Sequence, residues 1–239
     1  PSSFERYNYN ALLVVTPWKK HTFTLAYDHA IGKNLDFPAL PMDERLDNTN
    51  LYSFDYAFDN TGNVFRGAQV KVYQSDVSHE MDNKQRPISD TSVAISTIDA
   101  INTGYRAEAG FSISGGTLQA GTDMEDIRKD GDRVKYMIMQ PTMPVKNEKL
   151  WDNAHIRNMG FFAEYTRAFK NITGVLAMRV DLNHASSNPL TFENMQGQPV
   201  YFQDDVESAF TNFSFSLGAD WLARKNLVFG LAVGRGVRS

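Results

Sequence analysis

Apolar and polar side chains alternate along most of this chain. In "NFSFSLGADW", Phe213, Phe215, Leu217, Ala219 and Trp221 alternate with Asn212, Ser214, Ser216, Gly218 and Asp220. Leu176, Met178, Val180 and Leu182 alternate in the same way with Ala177, Arg179, Asp181 and Asn183. So do Tyr105, Ala107, Ala109 and Phe111 with Arg106, Glu108 and Gly110, and Leu227, Phe229, Leu231 and Val233 with Val228, Gly230, Ala232 and Gly234. A period of two is that of a β-strand with one apolar face. The pattern predicts about ten strands, near 5–15, 21–31, 49–58, 64–79, 98–113, 117–129, 155–168, 172–185, 207–222 and 227–238, and no helix of useful length.

The connections alternate between short and long. "TPWKK", "DNTGN", "SGG", "FKN" and "RKN" carry the Gly, Asn and Pro of tight hairpins, whereas 32–48, 80–97, 130–154 and 186–206 are long and polar. Successive connections of an up-and-down meander lie at opposite ends of the sheet, so one end has tight turns and the other has large loops. Outer-membrane barrels show this asymmetry. Trp18, Phe58, Phe65, Phe169 and Trp221 fall near the short turns, where an interfacial aromatic girdle is expected. Arg106, Glu108, Asp123, Glu125, Glu164, Arg179, Asp181 and Asp220 occupy the opposite face, which suits a wet lumen. The strands also reach the roughly nine to eleven residues that a tilted membrane strand needs. The expected fold is therefore all-β: an antiparallel up-and-down transmembrane β-barrel, present as a partial wall of about ten strands. A soluble β-sandwich that hides the same apolar faces in a dry core is the alternative.

Composition narrows the function. The 239 residues carry a net charge of -4 with no basic cluster, which argues against nucleic acid as a partner. The absence of Cys removes disulfide scaffolds, Cys-based zinc sites and a cysteine nucleophile. The longest apolar run is Ala11–Val15, far short of a membrane helix. A first residue other than Met, and a last stretch "GRGVRS" just after an apolar run, lead us to expect a piece of a longer protein. Enzyme signatures are scarce: "HEMDN" lacks the second His of a zincin helix, and no Walker A or Gly-x-Ser-x-Gly sequence occurs. We therefore expect no catalytic residues, with a barrel enzyme using Ser and His as a remote alternative.

One short stretch carries candidate chemistry. "DVSHEMDN" places His79 and Met81 two residues apart, hence on one face of a strand. Counting by twos from Tyr73 through Ser75 and Val77 puts both on the polar face, provided no β-bulge interrupts the strand. Imidazole and thioether suit copper, Cu(I) above all. A solvated His beside a packed Met is the bland alternative. Met137, Met139 and Met143 in "YMIMQPTMP" form a second, weaker candidate cluster in a long loop, either collecting Cu(I) or packing that loop. Met42 in "ALPMDER" is weaker again.

At the level of family, "GFFAEYTRAFKNITGVLAMRVDLNH" followed by "FSFSLGADWLARKNLVFGLAVGRGVRS" resembles the barrel of TonB-dependent outer-membrane receptors. "NLDFPALPMDERLDNTNLYSFDY" and "DVSHEMDN" resemble the copper-type members, whose matching segment reads His-x-Met-Asp-Asn. The resemblance implies that His79 and Met81 supply the barrel half of a copper site completed by a Cys and a Met from a plug domain. It further implies a 22-stranded barrel in outer-membrane lipid of a Gram-negative cell, energised through TonB and the inner-membrane complex by regions absent here. Residues 1–239 would then be a fragment of the barrel domain, without the plug and the remaining strands. A receptor for siderophores or other metal complexes is the nearest alternative.

Overall fold

The computed structural model describes residues 4–37, 40–60, 62, 64–193 and 198–237, apart from the side chains of 140–146 and 199–201. Ten strands form one antiparallel sheet. They are β1 (Glu5–Trp18), β2 (His21–Leu35), β3 (Asp43–Asp59), β4 (Phe65–Asp82), β5 (Ser92–Ile113), β6 (Gly116–Met137), β7 (Gln140–Phe169), β8 (Ile172–Ser187), β11 (Val206–Arg224) and β12 (Leu227–Arg235). Each pairs with its neighbour in that order, and the sheet is not closed: β1 pairs only with β2, and β12 only with β11. A small hairpin of β9 (Leu190–Glu193) and β10 (Pro199–Gln203) stands between β8 and β11. The sequence pattern does not predict this hairpin, because its strands are too short to show a period.

The short turns have the expected chemistry. At the β5–β6 turn Ser114 and Gly115 both have positive φ, 50° and 76°, as a two-residue primed turn requires. Lys20 and Lys170 take positive φ at the β1–β2 and β7–β8 turns. The long connections differ from expectation, because much of what reads as loop is strand. β6 and β7 pair from Met137 and Gln140 downward, so the expected loop 130–154 is the upper half of a hairpin. A single 3₁₀ turn, Pro87–Asp90, closes the β4–β5 connection. These upper segments mix charged and apolar residues, such as Asp130, Asp132, Val134 and Tyr136, and the long period-2 run weakens there although the backbone ladder continues.

Pairing register shows which residues share a face. Leu13, Leu25, Phe54, Val72, Tyr105, Met124, Phe161, Val180 and Phe213 run across the sheet from β1 to β11 on one side. Near the short turns this face carries linked rings. Trp18 meets His21 at 6.0 Å, His21 meets Phe58 at 4.7 Å, Phe58 meets Phe65 at 5.9 Å and Phe65 meets Phe111 at 5.6 Å. Towards the long loops the same face turns polar, at Asn50, Asp76, Arg128, Arg157 and His184. The apolar surface is thus a band bounded by rings below and by charge above, the profile of a membrane-crossing wall.

Among the described residues no second sheet covers this band. Among the described residues only Ala154 and Leu190 are buried hydrophobics, whereas Asp43, Glu44, Asp82, Asn83, Ser96, Asp126, Glu148 and Asn183 are buried polar residues. That inversion excludes the soluble sandwich, which needs two apolar faces pressed together.

Candidate metal site on the polar face

From Gly67 to Asp82, β4 pairs with β5 without a register shift. Parity therefore holds along β4, and His79 and Met81 share the face of Lys71 and Tyr73. The irregularity lies in the neighbouring strand. Glu44 stands opposite Met81 and Leu46 opposite Glu80, so Arg45 is an extra residue bulged out of β3. Residues 44 and 47, an odd number apart, would face opposite sides of a regular strand. The bulge turns both onto the polar face, where Asp47 lies opposite His79.

The result is a compact donor group. One ligand atom each from Glu44, Asp47 and His79 lie within 4.8 Å of one another. Glu44 is only 7% exposed. Among the described residues it has no hydrogen-bond or salt-bridge partner. Thr49 donates to Asp47 at 3.1 Å. Burial pushes the Glu44 carboxyl above the usual carboxylate range; His79 and Arg6 pull it down, and Asp47 pushes it further up.

Sulfur lies one rung further along. Ser96 stands opposite Met81, and its hydroxyl accepts a hydrogen bond from Arg133 Nε at 2.9 Å and donates to Met42 Sδ at 3.8 Å. Met42, the weakest candidate from sequence, is thereby brought beside the rung of Met81. Met137 and Met139 do not join this group: Met137 ends β6, and Met139 is 94% exposed. The side chain of Met143 lies outside the described residues.

Behind the cluster, buried ion pairs fix the backbone. Asp43 and Asp82 stand opposite each other, each 1% exposed. Asp82 accepts from Arg45 Nε at 2.9 Å and from the Lys84 amide at 3.0 Å. Asp43 accepts from Arg86, which also donates to the Phe37 carbonyl at 2.7 Å. Burial pushes the Asp82 carboxyl up, but the bonds from Arg45 and Lys84 outweigh it and leave it below its ordinary value. The bulged residue is therefore the one tied to Asp82. Asn83 accepts from the Ala94 amide at 2.8 Å and donates to the Ser92 carbonyl at 3.0 Å, pinning the start of β5. In "HEMDN", then, His79 and Met81 face the polar side, while Asp82 and Asn83 hold the connection in place.

Sequence reasoning missed Glu44 and Asp47. The acidic run "MDERLD" was the available signal, but its parity depends on a bulge that has no hydropathy signature.

A comparison with curated proteins gives no match. Solved structures share the fold at low identity. The copper transporter OprC superposes with a TM-score of 0.83 at 18% identity, over 98% of this chain and 36% of that one. The ferric citrate transporter FecA in its unliganded form gives 0.70 at 12% identity, over 98% and 36%. The ferric-catecholate import receptor Fiu of E. coli K12, in an open form, gives 0.65 at 11%, over 97% and 46%. The chain thus spans between about a third and a half of the length of these structures. Residues 2–239 match the family described as TonB dependent receptor-like, beta-barrel. With an open ten-stranded wall, an apolar band on one face and charge on the other, the chain belongs to the β-barrel family of TonB-dependent receptors.

Proposed function

We propose that this wall belongs to an outer-membrane importer of copper in a Gram-negative bacterium, a transport receptor rather than an enzyme. The observation that supports this most is the unbroken parity of β4, which sets His79 and Met81 on the lumen face, beyond the lipid-facing band, with Met42 beside the rung of Met81. Imidazole and thioether together favour copper over the hard cations. The likeness to the copper transporter OprC agrees with this choice of cargo. Two barrel donors do not complete a copper site; the remaining donors would come from a plug domain outside this chain. Energy would reach the receptor through TonB and the inner-membrane complex, also through regions beyond these residues. Met137 and Met139 would serve at most as a first collecting surface at the hairpin tip.

The second reading, import of a ferric chelate, draws on the likeness to FecA and Fiu. It would use aromatic and polar loop residues instead of His79 and Met81. Chelator competition on the full-length receptor in detergent separates the two. His79→Ala with Met81→Ala should weaken Cu(I) binding at least tenfold, and unchanged Cu(I) affinity would remove copper as the cargo.

A further inference from the structure

We propose that Glu44, Asp47 and His79 form a site for a borderline divalent cation, Zn(II) or Cu(II), built from the barrel wall alone. The proposal deepens the copper reading, on which it rests for the role of His79 in cargo handling, but its donor set is read from β3 and β4 without any plug residue.

Three observations converge. The three ligand atoms already lie within 4.8 Å of one another. A tetrahedral ion with metal–ligand bonds of about 2.0 Å holds its ligands about 3.3 Å apart. Small rotations of the two carboxylates therefore close the gap. Secondly, Glu44 is more than nine-tenths buried and has no partner among the described residues, although its carboxylate is turned toward Asp47 and His79. Buried carboxylates are normally paired, hydrogen-bonded or bound to a metal. Thirdly, the geometry depends on the β3 bulge at Arg45, which ion pairing to Asp82 holds in place. A bulge that re-aims a side chain is a built feature of a sheet.

The donor chemistry selects the ion. One imidazole nitrogen with two carboxylate oxygens suits Zn(II) and Cu(II), whereas Cu(I) prefers sulfur and nitrogen. Calcium requires six to eight oxygens, more than this group offers. Three protein donors leave a coordination position open for water or for a passing ligand. Met81 lies two residues along β4 from His79, about 7 Å away, so the wall would carry an oxygen-rich and a sulfur-rich set joined at His79. An importer built in this way would accept copper in either oxidation state.

The test uses the full-length receptor in detergent, with Zn(II) and Cu(I) each buffered by a competing chelator. Glu44→Gln with Asp47→Asn should lower Zn(II) affinity at least tenfold and leave Cu(I) affinity within about threefold. Met81→Leu should do the reverse. If the carboxamide pair leaves Zn(II) affinity unchanged, the proposal is overturned. If instead His79→Ala with Met81→Ala leaves Cu(I) affinity unchanged while the carboxamide pair abolishes Zn(II) binding, the copper reading fails and this site stands. Should the carboxamide variant not assemble, electron paramagnetic resonance of the unmodified receptor with Cu(II) decides the matter. Coupling to imidazole nitrogen in an oxygen-rich environment, lost in His79→Gln, supports the site, and a spectrum insensitive to His79→Gln overturns it.

Discussion

On β6, β7 and β8, Asp123 and Asp181 flank Arg179; on β3 and β4, Glu44 and Asp47 cluster with His79. Both groups sit on the polar face, and both join two carboxylates to a nitrogen base. In the first, the guanidinium donates to both oxygens of Asp123 at 2.8 and 2.7 Å and to Asp181 at 2.8 Å. The fork crosses β7 over Gly160, the residue opposite both aspartates, and Phe162 on the same strand lies under the Arg179 and Arg106 guanidiniums at 6.0 and 4.6 Å. Every charge there has its partner within the wall. In the second group the carboxylates are held within 4.8 Å and have no cationic side chain in contact among the described residues. At an effective dielectric of about 20, two like charges at that separation repel by about 3 kcal/mol. The lesson is that charge on a barrel lumen is of two kinds. One kind closes on itself and stiffens the wall, and the other stays open and costs stability until something binds.

The self-contained group should be the harder one to disturb without penalty. A Cβ on Gly160 would fall on the Arg179 guanidinium and within 2.6 Å of Asp123 Oδ1. Gly160→Ala should therefore push the arginine fork off the aspartates, a shift of flexible side-chain ends that loses charge-assisted hydrogen bonds and costs about 2 kcal/mol. Gly174→Ala is the matched control, because its Cβ meets only one carbonyl oxygen, at 4.0 Å. Unfolding midpoints of the full-length receptor in detergent should fall clearly for the first variant and little for the second. Equal shifts would mean that strand propensity, not the ion pair, sets the effect.

A second closed group, at the upper end of the opposite face, adds a pH dependence. Asp126 accepts two bonds from Arg157, at 3.0 and 2.8 Å, and one from His155 at 2.7 Å. Burial pushes its carboxyl up, but these bonds outweigh that and hold it below the ordinary value. A carboxylate with a depressed folded pKa adds stability above its unfolded pKa, near 3.9, and loses it as pH falls through the folded value. Asp126→Asn should therefore cost about 2 kcal/mol at pH 7, and the difference from the parent should shrink below about pH 4. A pH-independent difference would point to lost packing instead.

How far these groups were legible follows from what hydropathy encodes. Leu176, Met178 and Val180 alternate with Ala177, Arg179 and Asp181, so the strand, its lipid face and the lumen position of Arg179 can be read directly. The parity of His79 and Met81 is equally legible, since β4 has no bulge above Gly67. Glu44 and Asp47 were not, because one extra backbone residue at Arg45 reverses the face and leaves no mark on composition. The upper ends of β5 and β6 and the upper half of β7, within 80–97 and 130–154, read as loop for a related reason. Beyond the lipid band charged residues such as Asp130, Asp132 and Lys149 interrupt the apolar run, so the alternation weakens while the hydrogen-bond ladder persists. Partnering was the least legible property: nothing in "GTDMED" or "MRVD" shows that Arg179 crosses a strand to reach Asp123.

The smallest effect expected is also the one that most sharply separates the open group from the closed ones, because its sign is opposite. Burial raises the Glu44 pKa, with His79 and Arg6 opposing and Asp47 adding to it. A carboxylate raised in the folded state disfavours folding once pH exceeds its unfolded value. Glu44→Gln removes that penalty and keeps the shape, so in a chelator the variant should be more stable than the parent at pH 7. Opposition from His79 and Arg6 keeps the gain well under the bare repulsion. Asp123→Asn, the corresponding change in the closed group, should be destabilising under the same conditions because it leaves Arg179 underpaired. Adding Zn(II) should then reverse the order for Glu44 alone. An ion bound only by the folded parent stabilises it by mass action, about 2.7 kcal/mol at a hundredfold excess over its dissociation constant, and the variant forgoes most of that. Parallel unfolding curves with chelator and with Zn(II) read both signs, and a Glu44→Gln variant less stable than the parent in chelator would mean that the carboxylate is already satisfied within the wall.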